Sequence, residues 1–292
     1  MTDNFYTAFE HRYRGSRELI MSRLRVYLPF VESLREFYGS GDTIDLGCGR
    51  GEWLELLQNS GFTSQGVDLD EGMLASCRDL GLNVRTHDAI EFIKELPDCS
   101  QAVVSGFHLA EHLPFSSLQI LIQEALRVLK PGGILILETP NPENITVGTE
   151  KFYLDPTHLR PIPSQFLSFM VEHAGFKRSK VLRLQEPTGL ANESSLILLS
   201  VLNGVSPDYA VLAQKAGTHE IEAATAAAFE IEYGLSLETL ANNYDRQLKT
   251  FIQQVDAVAR QADARSQQAD ARSQQADARS QQADARSQQA DA

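Results

Sequence analysis

The chain has 292 residues, room for one or two domains of about 100–200 residues each. Its formal net charge of −13 and pI near 5.0 argue against a nucleic-acid binder. It contains no apolar run of the roughly 18 residues a membrane span needs, and its first residues lack the basic-then-apolar order of a signal peptide, so a cytoplasmic location is expected. Cys48, Cys77 and Cys99 are scattered and odd in number, so neither a disulfide framework nor a zinc site is expected.

Residues 1–39 read as a helical cap. Phe5, Tyr6, Phe9 and Tyr13 recur at helical spacing, and a second stripe runs through Leu19, Ile20, Leu24, Tyr27, Leu28 and Val31. Arginines 12, 14, 17, 23 and 25 lie between them. Such a segment either packs on the domain with its arginines solvated or acts as a lid, with Arg23 and Tyr6 as candidates to reach a bound ligand.

Residues 40–203 alternate strand and helix, which implies right-handed βαβ units and a mostly parallel sheet with helices on both faces. Strands are expected at Thr43–Leu46, Ser64–Val67, Asn83–Arg85, Gln101–Ser105, Ile134–Glu138 and Lys180–Leu184, with a last one at Ser195–Leu202. Helices are expected over Glu52–Asn59, from Asp70 onward, over Ser117–Leu129 and over Gln165–Ala174. Ligands of such sheets bind at the carboxyl ends of the strands.

The stretch from Thr43 to Trp53 runs from an apolar strand into Gly47-Cys48-Gly49-Arg50-Gly51 and then a helix start. Glycines let the turn take unusual φ values and bring a ligand against bare backbone. A dinucleotide site wants Gly-x-Gly-x-x-Gly, but Glu52 occupies the place of the third glycine. Asp45 at the strand end would repel a phosphate and favours a ligand with a cationic or hydroxyl-bearing part. Asp68 ends the second strand about 20 residues past the turn, where an acid accepts from ribose hydroxyls. Its alternative is a helix cap, a role that Asp70 suits better. Met73 packs either on a bound base or in the core. Asp88, followed by Ala89, is a ligand acceptor, an N-cap, or both.

His108 and His112 lie four residues apart, on one face of a helix if helical. His-Glu-x-x-His is absent and the local sequence offers no third ligand, so no metal is expected. A histidine titrates near pH 6.5 and suits proton abstraction at neutrality. His112 is therefore a candidate base, with a structural role as its alternative. The loop Thr139–Pro163 is long for a compact domain, and such loops are usually functional or disordered. It carries His158, a second candidate base, and Arg160, a candidate acceptor contact alongside His108.

Residues 204–260 read as a helical connector. From Ala262 the heptapeptide Ala-Asp-Ala-Arg-Ser-Gln-Gln repeats unchanged through Gln289. The period of seven suggests a coiled coil over 261–292. Its Ala262, Ser266, Ala269, Ser273 seam buries little area, so a partly disordered spacer is the alternative. The stop inside a repeat suggests that further sequence follows.

Taken together, Ile44–Gly51, Gly66–Asp68, Asp88, Ala110-Glu111-His112, Leu129–Gly133 and Ala174-Gly175-Phe176 resemble the class I S-adenosylmethionine-dependent methyltransferases across residues 40–203. The resemblance implies a Rossmann-like fold with a seven-stranded sheet, and S-adenosylmethionine as cofactor. It implies that Asp45, Gly47, Gly49 and Gly51 hold the methionine end and ribose of that cofactor; Asp68 is then a ribose acceptor, Met73 and Asp88 adenine contacts, Ala89 a further cofactor contact, and Arg23 and Tyr6 the lid candidates for its carboxylate. Phe9-Glu10-x-Arg12-x-Arg14-Gly15 and Asp155-Pro156-Thr157-His158 are similar to methyltransferases of bacterial surface-polysaccharide assembly. These include enzymes that methylate the growing end of an O-antigen and carry a coiled coil after the catalytic domain. That narrower resemblance implies a saccharide acceptor, glycosyltransferase partners reached through the coil, a homo-oligomer formed by the repeats, and a peripheral place at the inner membrane through those partners. A small metabolite or quinone precursor is the alternative acceptor, and a cofactor-binding scaffold the alternative role.

Overall fold

The computed structural model describes residues 15–190 and 196–290. Tyr6, and with it the block from Phe9 to Arg14, lies outside the described residues. Helix α1 (Arg17–Leu24) is followed by short helical turns through Tyr38. Strand β1 (Asp42–Leu46) leads through the glycine turn into α2 (Glu52–Asn59), then β2 (Thr63–Asp68), α3 (Glu71–Asp79), β3 (Val84–Thr86) and α4 (Ala89–Glu95). Next come β4 (Gln101–Phe107), α5 (Phe115–Val128), β5 (Leu129–Pro140), α6 (Ser164–Ala174), β6 (Arg178–Leu184), β7 (Asp208–Gln214), α7 (His219–Glu230) and α8 (Leu237–Ala290).

The seven strands lie in the order β3-β2-β1-β4-β5-β7-β6, with β7 antiparallel to both neighbours and the rest parallel. Burial on both faces requires the near-continuous apolar runs seen in β4 and β5. Alternate residues of β5 serve opposite faces: Leu135 and Leu137 join Leu118, Leu121 and Leu167 of α5 and α6. Ile134 and Ile136 join Tyr27, Phe30, Trp53 and Phe229 on the other side. The strand order reverses between β1 and β4, which opens the crevice where such sheets bind ligands.

One expected strand is corrected. Of the run expected at Ser195–Leu202, the described part forms a helix, Leu198–Asn203. The seventh strand is Asp208–Gln214, inside the segment expected to be a helical connector. Both are short apolar runs, which periodicity cannot assign by itself. The choice falls to pairing: Tyr209, Val211 and Ala213 fill one core and Ala210 and Leu212 the other. The connector is helical only beyond that strand. Helix α8 runs unbroken across the expected boundary at 260/261 and into the repeats.

Candidate active site

The glycine turn is held by backbone and carboxylate. Gly47, Gly49 and Gly51 have φ of 69°, 51° and 73°, the left-handed region that glycine adopts without cost. The N–H groups of Gly47 and Cys48 both donate to Val67 O, at 2.8 and 3.0 Å. Asp68 ties the turn to the end of β2: one carboxylate oxygen accepts from Gly49 N–H at 2.8 Å and the other from Asp70 N–H at 2.9 Å. Asp70 caps α3 through Gly72 and Met73 N–H. Asp45 is buried beneath the turn and accepts from Ser105 Oγ at 2.7 Å. Asp88 caps α4, with one oxygen accepting from Ile90 and Glu91 N–H at 2.9 and 3.0 Å, and stays exposed next to Ala89. Three carboxylates thus stand at the carboxyl ends of β1, β2 and β3.

Gly47 and Gly51 differ in what demands them. A Cβ on Gly51 would fall 2.7 Å from Leu82 Cδ1 and 3.0 Å from Cys77 Sγ, so a side chain there would force its neighbours under the turn to shift. A Cβ on Gly47 would meet only Leu109 at 3.4 Å. Glu52, in the place of a dinucleotide site's third glycine, is buried with Arg50 Nη2 at 2.9 Å. Arg17 reaches over from α1, donating to Arg50 O and to Glu55 Oε2 at 2.6 Å each. Sequence reasoning did not single out Arg17 for this turn. Arg23 instead lines a cavity of about 290 Å3 with Val26, Glu138, Arg183, Gln185 and Tyr233, on the β5–β6 side of the crevice.

A second cluster stands at the ends of β4, β5 and β7. His108, held at φ 52°, places Nδ1 3.2 Å from Glu111 Oε1 and Nε2 3.4 Å from Glu138 Oε1, with Asp208 Oδ1 4.0 Å away. Tyr27 OH donates to the other oxygen of Glu138. Thr139 Oγ1 donates to Glu111 Oε2 at 2.8 Å. Desolvation works against charge on His108, yet the hydrogen bonds to Glu111 and Glu138 and the Asp208 charge prevail and raise its pKa well above the ordinary value. The imidazolium thereby offsets burial at Glu111, whose pKa is lowered. Burial pushes Asp208 up to about 6 against the pull of His108. His108, expected at the acceptor, is here the cation binding three carboxylates together.

The long loop returns to this place because Leu159 N–H donates to Glu111 O at 2.9 Å. Thr157 Oγ1 lies 2.6 Å from Asp155 Oδ1 and 2.9 Å from His112 Nδ1. A hydroxyl has one proton; given to Asp155, it leaves the oxygen to accept from His112 Nδ1–H. His112 Nε2 is then the unprotonated nitrogen. Burial, reinforced by His158, outweighs Glu111 and lowers the pKa of His112, which keeps it neutral at pH 7. His158 packs edge-on against the His112 ring, 4.7 Å between centroids, and donates Nδ1–H to Phe152 O at 2.6 Å. Its Nε2 faces Glu111 and Asp155 at 3.9 Å each. Sequence spacing offered no third metal ligand beside His108 and His112, and the fold places the two histidines in separate groups. Donor atoms of Glu111, His112 and His158 all lie within 4.8 Å of one another, as do those of His108, Glu138 and Asp208. Arg160 stacks over Phe115 and Phe166 at 5.3 and 6.0 Å, an aromatic packing role beside the loop.

A doubly wound sheet with a glycine turn at its switch point and carboxylates at the ends of β1, β2 and β3 is the architecture of an enzyme that binds a nucleoside-bearing cofactor. Residues 16–180 match the methyltransferase domain family, and the chain belongs to it. A probable S-adenosylmethionine-dependent methyltransferase of Mycolicibacterium smegmatis is 30% identical over 212 residues, covering 68% of this chain and 80% of its own. A ubiquinone biosynthesis O-methyltransferase of Methylococcus capsulatus is 30% identical over 119 residues, 39% of this chain and 49% of its own length. The crystal structure of a methyltransferase dependent on the same cofactor from Archaeoglobus fulgidus aligns at TM-score 0.64 and 33% identity, over 72% of this chain and 100% of that one. The enzyme uses S-adenosylmethionine.

The residues present fit that cofactor. Carboxylates suit its ammonium group, ribose hydroxyls and adenine amine, and would repel the pyrophosphate of a dinucleotide. Asp68 would hold the ribose and Asp88, with its second oxygen, the base. Among the described residues no helix is long and apolar enough to cross a membrane.

Proposed function

We propose that the protein is an O-methyltransferase that acts on a saccharide hydroxyl, with the end of a bacterial surface polysaccharide as its acceptor. The observation that carries the reaction type is the Asp155–Thr157–His112 relay, which leaves a neutral Nε2 to take a hydroxyl proton. The cofactor supplies a methyl group already activated on sulfur. The chain's own residues align the acceptor, exclude water and remove the proton, and a hydroxyl is a poor nucleophile until that proton is accepted. The cavity sets Arg23, Glu138, Arg183 and Gln185 beside Val26, Leu184 and Tyr233, which offers polar partners for hydroxyls and an apolar wall for a ring. A rod of identical repeats suits an enzyme tethered to an assembly better than one serving a free metabolite.

The test is methylation of oligosaccharide acceptors by the His112→Ala, His158→Ala double variant, with S-adenosylhomocysteine binding measured in parallel. Lost turnover with retained binding supports the base. Full turnover overturns it. The Glu111–His112–His158 triad supports a second reading, in which a divalent cation holds the acceptor oxygen. Dialysis against EDTA separates the two: the base needs no metal, whereas the cation reading requires turnover to vanish and to return with added metal. Preferential methylation of a phenolic quinone precursor over any sugar would overturn the saccharide assignment.

A further inference from the structure

Helix α8 spans 54 residues, about 81 Å at 1.5 Å per residue. From Leu248 to Ala283 every described residue is exposed. That stretch includes Leu248, Phe251, Ile252, Val255 and Val258, between 45% and 66% accessible, an apolar stripe that no element of the described residues covers. The stripe passes into the repeats without a skip. With Leu248 and Val255 at heptad position d and Ile252 and Ala259 at a, the same frame places Ala262 and Ala269 at d and Ser266 and Ser273 at a. Ile252 at a with Leu248 at d is the pairing that favours two strands.

The charges of the repeat give the direction. In this frame every arginine of the array takes position g and every aspartate position e. Within one helix, supporting pairs stand three or four residues apart. Arg265 has neither Asp263 nor Asp270 at that spacing, and the same holds for Arg272 with Asp270 and Asp277. The array's charges therefore do not stabilise a lone helix. Arg265 to Asp270 is a step of five, the distance from g of one heptad to e of the next, which is where the flanking charges of two parallel strands meet. Antiparallel strands would set arginine against arginine and aspartate against aspartate.

We infer that a second copy of this chain covers the stripe, forming a parallel, in-register, two-stranded coiled coil from about Leu248 onward, with Arg265 and Arg272 of each strand paired to Asp270 and Asp277 of the other. Both catalytic domains then stand at the same end of one stalk.

The test uses the full chain. Light scattering on the purified protein is expected to give twice the 32.4-kDa chain mass. The Leu248→Asp, Val255→Asp variant is expected to give the single-chain mass while binding S-adenosylhomocysteine as the parent does, which separates dissociation from misfolding. Direction is read by mild oxidation of single-cysteine additions in a Cys99→Ser background. Ala262→Cys and Ala276→Cys, both at d, are each expected to form a covalent dimer, and Ala264→Cys, at f on the outer face, is not. A single-chain mass for the parent at every concentration, or a seam variant that stays dimeric, overturns the interface. Three chain masses overturn the two-stranded assembly. Cross-linking at only one of the two d positions overturns the parallel register, because an antiparallel pair can bring a residue to its own copy at one level alone.

Discussion

His112 Nδ1 stands 2.9 Å from the hydroxyl of Thr157, a residue 45 positions further along the chain, and this contact fixes which imidazole nitrogen carries the proton. Replacing Thr157 with Val removes the acceptor and releases the tautomer. Turnover is expected to fall roughly 10-fold, about 1.4 kcal/mol of transition-state stabilisation, with S-adenosylhomocysteine affinity unchanged. Steady-state kinetics beside calorimetric titration checks it. Thr157→Ser, which keeps the hydroxyl, should restore most of the rate.

The pKa shifts give a signed pH profile. Because burial lowers the pKa of His112, its working form is the neutral one, complete at pH 7 and lost only as pH falls through a value below the ordinary 6.5. kcat is expected to be level above neutrality and to drop on the acid side with a midpoint under 6.5. A midpoint above 6.5 would remove His112 from the role.

His108 is shifted the other way, and the sign of its contribution to stability follows. Its folded pKa is raised, so the stabilisation is fully present below the unfolded value near 6.5 and is lost as pH rises through the folded value. His108→Gln should therefore flatten the alkaline side of a plot of Tm against pH, relative to the parent protein.

Asp68 binds the turn, and the proposed ribose contact would give it a second duty. Asp68→Ala leaves Gly49 and Asp70 N–H without their acceptor and removes a charged hydrogen-bond partner worth about 1.5–3 kcal/mol. S-adenosylhomocysteine affinity should weaken roughly 10- to 100-fold by calorimetry while urea denaturation still shows a cooperative transition.

Gly51→Ala tests packing rather than binding. The new methyl would meet Leu82 Cδ1 at 2.7 Å on a backbone at φ 73°, so the fold should lose about 1–3 kcal/mol in urea denaturation. Gly81, at φ 72° with open space around its Cβ position, is the control that isolates the backbone cost from the clash.

Much of the fold could be read from local pattern. Strands β1 to β6 and the helices between them follow apolar runs bounded by glycine, proline and aspartate, which need only neighbours in sequence to declare themselves. The seventh strand escaped because Ser195–Leu202 and Asp208–Gln214 are both short and apolar. Only the opening between β5 and β6 distinguishes them. In the site, the glycine turn, Asp45, Asp68 and Asp88 were legible, since turn chemistry and position after a strand are sequence properties. Arg17 was not, because five arginines crowd the first 25 residues and their spacing does not say which one turns toward Arg50 and Glu55.

The sequence by itself determined the class of cofactor and the seven-residue period of the tail, because both are written in short spacings: glycines at alternate positions, an acid at each strand end, one Asp and one Arg in every seven residues. Tertiary structure decided the arrangement of the candidate site. Thr157 meets His112, His158 completes a triad with Glu111, and Asp208 reaches His108 only when loop and strand ends converge on one edge of the sheet. Those partners lie 45 to 100 residues apart. Their protonation follows from shared burial and mutual charge, quantities that exist only once the chain has brought them together.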